Sequence, residues 1–224
     1  MFSTPGDDLF RGGARDNVEL LKAWAGTSLA YAIYRAGAAS LLGDIARFLQ
    51  ELAIAAVVCG LGFVLHELAH RIVARRFGAS AHFVADDRWL LISVAIAFVG
   101  FFIAAPGAVW HRGRLTAAQG GLIALAGPLA NLGLALAFII AFPVLWLAGL
   151  HGDWVVILCL TGVSLNAWLG LFNMIPAGPF DGARVLAWNP VAFGVTVAVG
   201  FLLTFVVGTQ QTLTTLWGAV LAGG

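Results

Sequence analysis

Leu61-Gly62-Phe63-Val64-Leu65-His66-Glu67-Leu68-Ala69-His70-Arg71 decides how this chain is read. Five residues that are all apolar or glycine run straight into two histidines and a glutamate. His66 and His70 are four residues apart, so on a helix they share one face and can both ligate one metal ion. Glu67 lies between them, placed to take a proton from water rather than to ligate. Zinc suits imidazole and carboxylate donors and lowers the pKa of a bound water toward roughly 7. The plainer reading is a polar patch on a helix end that faces lipid headgroups. Ionisable groups set in an apolar run at membrane depth are costly and are kept for function, which favours the metal site.

The surroundings establish that depth. Hydrophobic residues make up 61% of the 224-residue chain and charged residues 10%, against roughly 25% charged in an ordinary soluble domain. Several apolar runs reach the roughly 20 residues that cross a hydrocarbon core. The expectation is an all-α integral membrane protein embedded in the lipid bilayer. A net charge of +1 offers no basic field for a nucleic-acid partner. Cys59 and Cys159 both lie in apolar runs and read as small buried residues rather than a disulfide. Residues 1–17 are polar, of mixed charge, and lack the apolar core of a signal peptide. They form an N-terminal segment ahead of a membrane domain at 18–224.

Apolar runs are expected at 18–42, 46–77, 118–150, 154–172 and 191–207, giving about five transmembrane helices. The second ends in Arg71, Arg75, Arg76 and Gly78, the pattern of a cytoplasmic helix end stopped by glycine. Residues 79–88 read as a polar connection, Gly127-Pro128 as a kink, and 213–222 as too short to cross. Trp89, Trp110, Trp154 and Trp188 mark interfacial levels.

A catalytic zinc takes three protein ligands and keeps one position open. His82, His111 and His151 qualify by type, but each lies in a polar connection where a solvated histidine is the default. Asp181 follows Asn173-Met174-Ile175-Pro176-Ala177-Gly178-Pro179-Phe180, where proline and glycine turn the chain back. Two readings of Asp181 stand on local pattern: third ligand, or N-cap of a short helix at 182–186.

Three motifs now occur in order across residues 60–189: His66-Glu67-x-x-His70, Gly127-Pro128-x-x-Asn131, and Asn173-x-x-Pro176-x-x-x-x-Asp181-Gly182. Together they resemble the site-2 protease family of intramembrane zinc metalloproteases. The resemblance implies one zinc ion per chain held by His66, His70 and Asp181, with Glu67 as catalytic acid and base. It implies that Asn173 positions or polarises substrate, and that substrates are membrane-anchored proteins cut within or near their transmembrane segments. Members of that family often carry a soluble PDZ or CBS module, and none is found in these residues.

If Asp181 shares an ion with His66 and His70, all three lie at similar depth near one membrane face. The chain returns Asp181 to that face only if residues 89–109 do not cross. Arg75, Arg76 and Arg88 before this segment, and Arg112 and Arg114 after it, put both flanks on the cytoplasmic side. A re-entrant element is expected, a short helix then an extended stretch at 104–110, with an ordinary span as the other reading. An unpaired strand there could bind an unwound substrate by strand addition, with Ala105, Gly107 and Val109 as its substrate-binding positions. Asn166 and Asn173 share a helix face; Asn166, with Thr161 and Ser164, either lines a wet approach to the metal or packs helices. Asn131 reads as structural.

The function expected is intramembrane proteolysis in the cell membrane, with the active site toward the cytoplasm. One rival is a proteolytically inactive zinc-binding scaffold or chaperone, whose mark would be loss of Glu67. Another is a metal transporter, which needs a polar path that 134–144 and 195–207 do not offer. The sequence fixes no oligomeric state.

Overall fold

The structure, a computed structural model, describes residues 13–103 and 107–221. The chain divides into two compact units, Met1–Gln119 and Gly120–Gly224.

The first unit opens with α1 (Gly13–Ala36), which stops at Gly37, where φ is +79°. After a single helical turn, α2 (Ser40–Gly43), Asp44 caps α3 (Ile45–Ala55) by accepting from the Arg47 amide at 3.0 Å. A π-helical turn (Ala56–Gly60) carries α3 into α4 (Leu61–Arg76), so that Ile45–Arg76 is one continuous helix. α1 packs along this join. The Trp24 indole donates to the Ala56 carbonyl at 3.0 Å. A side chain at Gly60 would collide with Ser28 and the Trp24 ring. Glycine there lets the two backbones approach, as small residues do at helix interfaces in membranes.

Gly78 (φ +77°) ends α4 as its sequence predicts, with the Ala79 amide donating back to Ala74 O at 3.1 Å. β1 (Ser80–Ala85) follows, then α5 (Asp87–Ala97), capped by Asp86, then β2 (Gly107–Arg112). The strands pair antiparallel, from Ser80 opposite Arg112 to Ala85 opposite Gly107. The pairing sets Ala85 beside Gly107, the residues at either side of the segment that joins the strands. Phe63 of α4 meets Phe83 of β1 edge-on, in a cluster with Leu20, Ala23, Val64, Leu68 and Val109.

Two expectations need correction. Residues 79–88, read as a polar connection, contain β1. Six residues with one short buried run, Ala81-His82-Phe83, are too few for a period to show in the sequence. The extended stretch is also not unpaired: β2 lies on β1 and begins at Gly107, while Ala105 falls outside the described residues. The helix expected at 89 starts two residues earlier and stops at Ala97.

The second unit contains α6 (Ala117–Leu147) from Gly120 onward, α7 (Asp153–Phe172), α8 (Asp181–Trp188), α9 (Pro190–Phe201) with a π-helical continuation (Leu202–Val207), and α10 (Gln210–Leu221). α6 remains helical through Pro128 and Pro143. Proline lacks an N–H and leaves the carbonyl four residues back without its helical donor. For Pro143 that carbonyl is Ile139, and the Trp217 indole of α10 donates to it at 3.2 Å. Between α6 and α7 the Asn131 amide donates to Asn166 Oδ1 at 3.1 Å, both side chains buried. Of the two readings of Asn166, helix packing is the one observed. Ser164 is likewise engaged in packing, donating to Leu160 O and Gly208 O.

Four helices among the described residues are long and apolar enough to cross a membrane: Ile45–Arg76, Ala117–Leu147, Asp153–Phe172 and Pro190–Val207. α1 is not among them, since Asp16, Glu19, Lys22 and Arg35 shorten its apolar centre.

Candidate metal centre

α4 carries three buried ionisable side chains in five residues: His66, Glu67 and His70. One helical turn brings the imidazoles together edge to face, with ring centroids 4.7 Å apart and Nε2 atoms 3.0 Å apart. Two nitrogens bound to one tetrahedral zinc at about 2.05 Å would lie roughly 3.3 Å apart, so the observed spacing is close to that of two ligands. Glu67, buried on the same helix, sits about 100° round the axis from His66 and about 60° from His70.

In the second unit, α7 ends at Phe172 and the loop through Gly178 (φ +60°) leads to α8. The Gly182 amide donates to Asn173 O at 2.8 Å, which closes this loop. Gly182 has no room for a side chain, which would fall on the Met174 carbonyl. The loop thereby fixes Asp181, which is buried at the start of α8. The N-cap position is taken by extended Phe180, so the capping reading of Asp181 is not what the fold uses. A carboxylate in the first helical turn still gains from the amide dipoles there.

His66, His70 and Asp181 form a buried group that could hold a metal ion, each offering one ligand atom within 4.8 Å of the others. Two imidazoles and one carboxylate fit a catalytic zinc, which binds through three protein side chains and leaves a position for reactants.

The other histidines have different employment. His82 was expected to be solvated. It is buried on β1, where Nδ1 donates to Asp16 Oδ1 at 2.9 Å. His151 meets the Trp146 carbonyl through Nε2 at 2.9 Å. The His111 side chain lies outside the described residues. Asn173 caps α7 and donates its side-chain amide to Leu169 O at 2.9 Å. Gly107 and Val109 sit on β2 opposite Ala85 and Phe83.

Sequence reasoning missed the cluster around Asp16. Its Oδ2 accepts from Arg71 Nη1 at 3.1 Å and Arg75 Nη2 at 3.2 Å, and Arg75 also donates to the Ala81 carbonyl. The i, i+4 spacing of Arg71 and Arg75 was a visible signal, but their partner lies 55 residues away from Arg71.

Comparison with known proteins agrees with this chemistry. A protein of Methanocaldococcus jannaschii, provisionally named a zinc metalloprotease, is 39% identical over 154 residues, covering 67% of this chain and 78% of that protein. Rip3 of Mycobacterium tuberculosis, named in the same provisional way, is 33% identical over 132 residues, but the match spans only 29% of its length. YwhC of Bacillus subtilis, likewise, is 32% identical over 146 residues, with 64% of its length covered. No family model and no solved structure matches the chain.

Proposed function

This chain belongs to the site-2 protease family of zinc metalloproteases, and from that premise we propose that it hydrolyses peptide bonds within or near transmembrane segments of membrane-anchored proteins. The observation that carries the proposal is the buried His66, His70 and Asp181 group with Glu67 one residue along the same helix. Zinc held there supplies Lewis acidity, activating water near neutral pH and polarising a carbonyl. Glu67 accepts the proton of the attacking water on a carboxylate oxygen. It then returns that proton to the leaving amine, so one side chain serves as base and acid in turn. Asn173, at the mouth of the loop that fixes Asp181, positions the scissile carbonyl.

Substrate has to unwind first, because helical carbonyls are hydrogen-bonded and shielded. β2 is suited to hold it as an added strand. On β1 the Ala81 carbonyl accepts from Arg75 and the Ala85 amide donates to Glu19 at 3.1 Å, so the polar groups of these residues point away from β2. In an antiparallel pair, residues of that parity face outward on both strands. On β2 these are Gly107, Val109 and His111. The β1 edge is occupied by Arg75 and Glu19, whereas no strand lies on the outer edge of β2 among the described residues. Val109 also packs with Val64 and Leu68, which flank the histidine pair on α4.

The fuller architecture we infer has about five spans, α1 supplying the fifth, with the segment expected to be re-entrant, 89–109, entering and leaving on one side. The strand register supports this, and α5, with 11 residues, is about 16 Å long against a core of about 30 Å. Arg71, Arg75 and Arg76 at the end of α4 favour a site toward the cytoplasmic face of the cell membrane. The test uses a reporter with a single transmembrane segment, incubated with the purified protein in detergent and zinc. Glu67→Gln should lower cleavage by about 100-fold or more, and equal cleavage by both proteins would remove the mechanism.

A further inference from the structure

α4 is held by α1 at two places, one on each side of the histidine pair. Upstream, Trp24 donates to Ala56 O at the π-helical turn, and Gly60 lies against Ser28. Downstream, Asp16 gathers Arg71 and Arg75, and through His82 it also ties in β1. Asp16 is 3% exposed, and a carboxylate so buried requires the charge-assisted partners it has. Arg71 directly follows His70. Any turn of α4 about its own axis would stretch both guanidinium contacts and would swing both imidazoles together.

That coupling matters because metal sites tolerate little displacement. A donor atom roughly 6 Å from a helix axis moves about 1 Å for each 10° of rotation, beyond the roughly 0.5 Å that a catalytic constellation allows. Packing against Ala and Leu side chains alone leaves such a rotation soft. A pair of arginines one turn apart, both bonded to one oxygen of a buried carboxylate, does not.

We infer that Asp16 is a positioning residue of the metal site: through Arg71 and Arg75 it sets the rotation of α4, and with it the direction of His66 and His70. It touches neither substrate nor metal. The N-terminal helix is thereby part of the catalytic apparatus. The inference rests on the zinc-peptidase reading above, but one of its readouts does not depend on cleavage.

The test compares Asp16→Asn with wild type in the full-length protein purified in detergent. Zinc affinity is measured by competition with a chromophoric chelator, and kcat and KM are measured on the transmembrane reporter. Asp16→Asn should weaken zinc binding and lower kcat by about ten-fold each, the lower end for outer-shell partners of a metal ligand, with KM within about two-fold. Glu51→Gln is the control, because it removes the α1–α3 ion pair with Arg35 (3.4 Å); it should change none of the three. Unchanged zinc affinity and kcat in Asp16→Asn would overturn the inference. So would equal losses in Glu51→Gln, which would mean that α1 matters only as packing. If Asp16→Asn does not fold, Arg75→Lys keeps the charge and loses the fork to Asp16 and Ala81, and wild-type zinc affinity in that variant refutes the proposal. A failure of the peptidase reading looks different: zinc binding would respond to Asp16→Asn while no protein cleaved the reporter.

Discussion

Gly182→Ala adds one methyl group next to Asp181, and the structure sets the size of the disturbance. The new Cβ would lie 2.7 Å from Ile175 O and closer still to the Met174 carbonyl, where ordinary contact begins at 3.4 Å. The loop must therefore open by about 0.7 Å or more, since both obstacles are backbone atoms and cannot rotate away. The Gly182 amide that donates to Asn173 O is stretched by the same movement. In a helix, alanine in place of glycine gains up to about 1 kcal/mol from propensity, whereas overpacking costs about 1–3 kcal/mol. Net stability should fall modestly. The metal site is less forgiving, because ligand distances hold to about 0.2 Å. A shift of Asp181 several times larger should weaken zinc binding by about 10- to 100-fold. Gly133→Ala in α6 is the matched control, since nothing lies within 4 Å of its added Cβ. Chelator competition and a thermal melt on both variants separate the two effects. Wild-type zinc affinity and cleavage in Gly182→Ala would refute the claim that this loop fixes Asp181.

Asp181→Ala should bind zinc at least as weakly as Gly182→Ala, read by metal analysis after dialysis, and an unchanged zinc content would move the third ligand elsewhere. Cysteines placed at Ser80 and Arg112, which face each other across the two strands, should label from the same side of the membrane; labelling from opposite sides would exclude a re-entrant segment. Trp217→Phe should destabilise the protein by about 1 kcal/mol through the lost bond to Ile139 O. In a Pro143→Ala background, where the backbone again supplies an N–H, that loss should vanish, and identical losses in both backgrounds would show that the indole does not substitute for the missing helical donor.

The long runs were legible because a membrane imposes length and apolarity on each helix independently of the rest of the fold. Ile45–Arg76, Ala117–Leu147, Asp153–Phe172 and Pro190–Val207 each lie within three residues of the limits expected from composition. The histidine pair was legible for a related reason: its spacing is a property of one helix. Asp181 was half legible. Proline and glycine announced a turn, but whether the carboxylate capped a helix depended on whether Phe180 or Asp181 came first in α8, and a one-residue difference of that kind is not written in local pattern.

β1 and the Asp16 cluster stayed hidden because both exist only through partners remote in sequence. A six-residue strand acquires its identity from β2, whose nearest facing pair, Ala85 and Gly107, is already 22 residues apart in the chain. Asp16, read alone, is one charge in a polar segment; beside Arg71, Arg75 and His82 it is the buried centre of an ionic cluster. The sequence signs of function lay in the ligands, which chemistry confines to a few residue types at set spacings. The residues that hold those ligands in place are under no such restriction, since any buried contact of the right length can restrain a helix. Motif reading therefore stops at His66, Glu67, His70 and Asp181, and the mechanical half of the site, from Trp24 at the π-helical turn to Asp16 at the far end of α4, emerges only from the packing of α1.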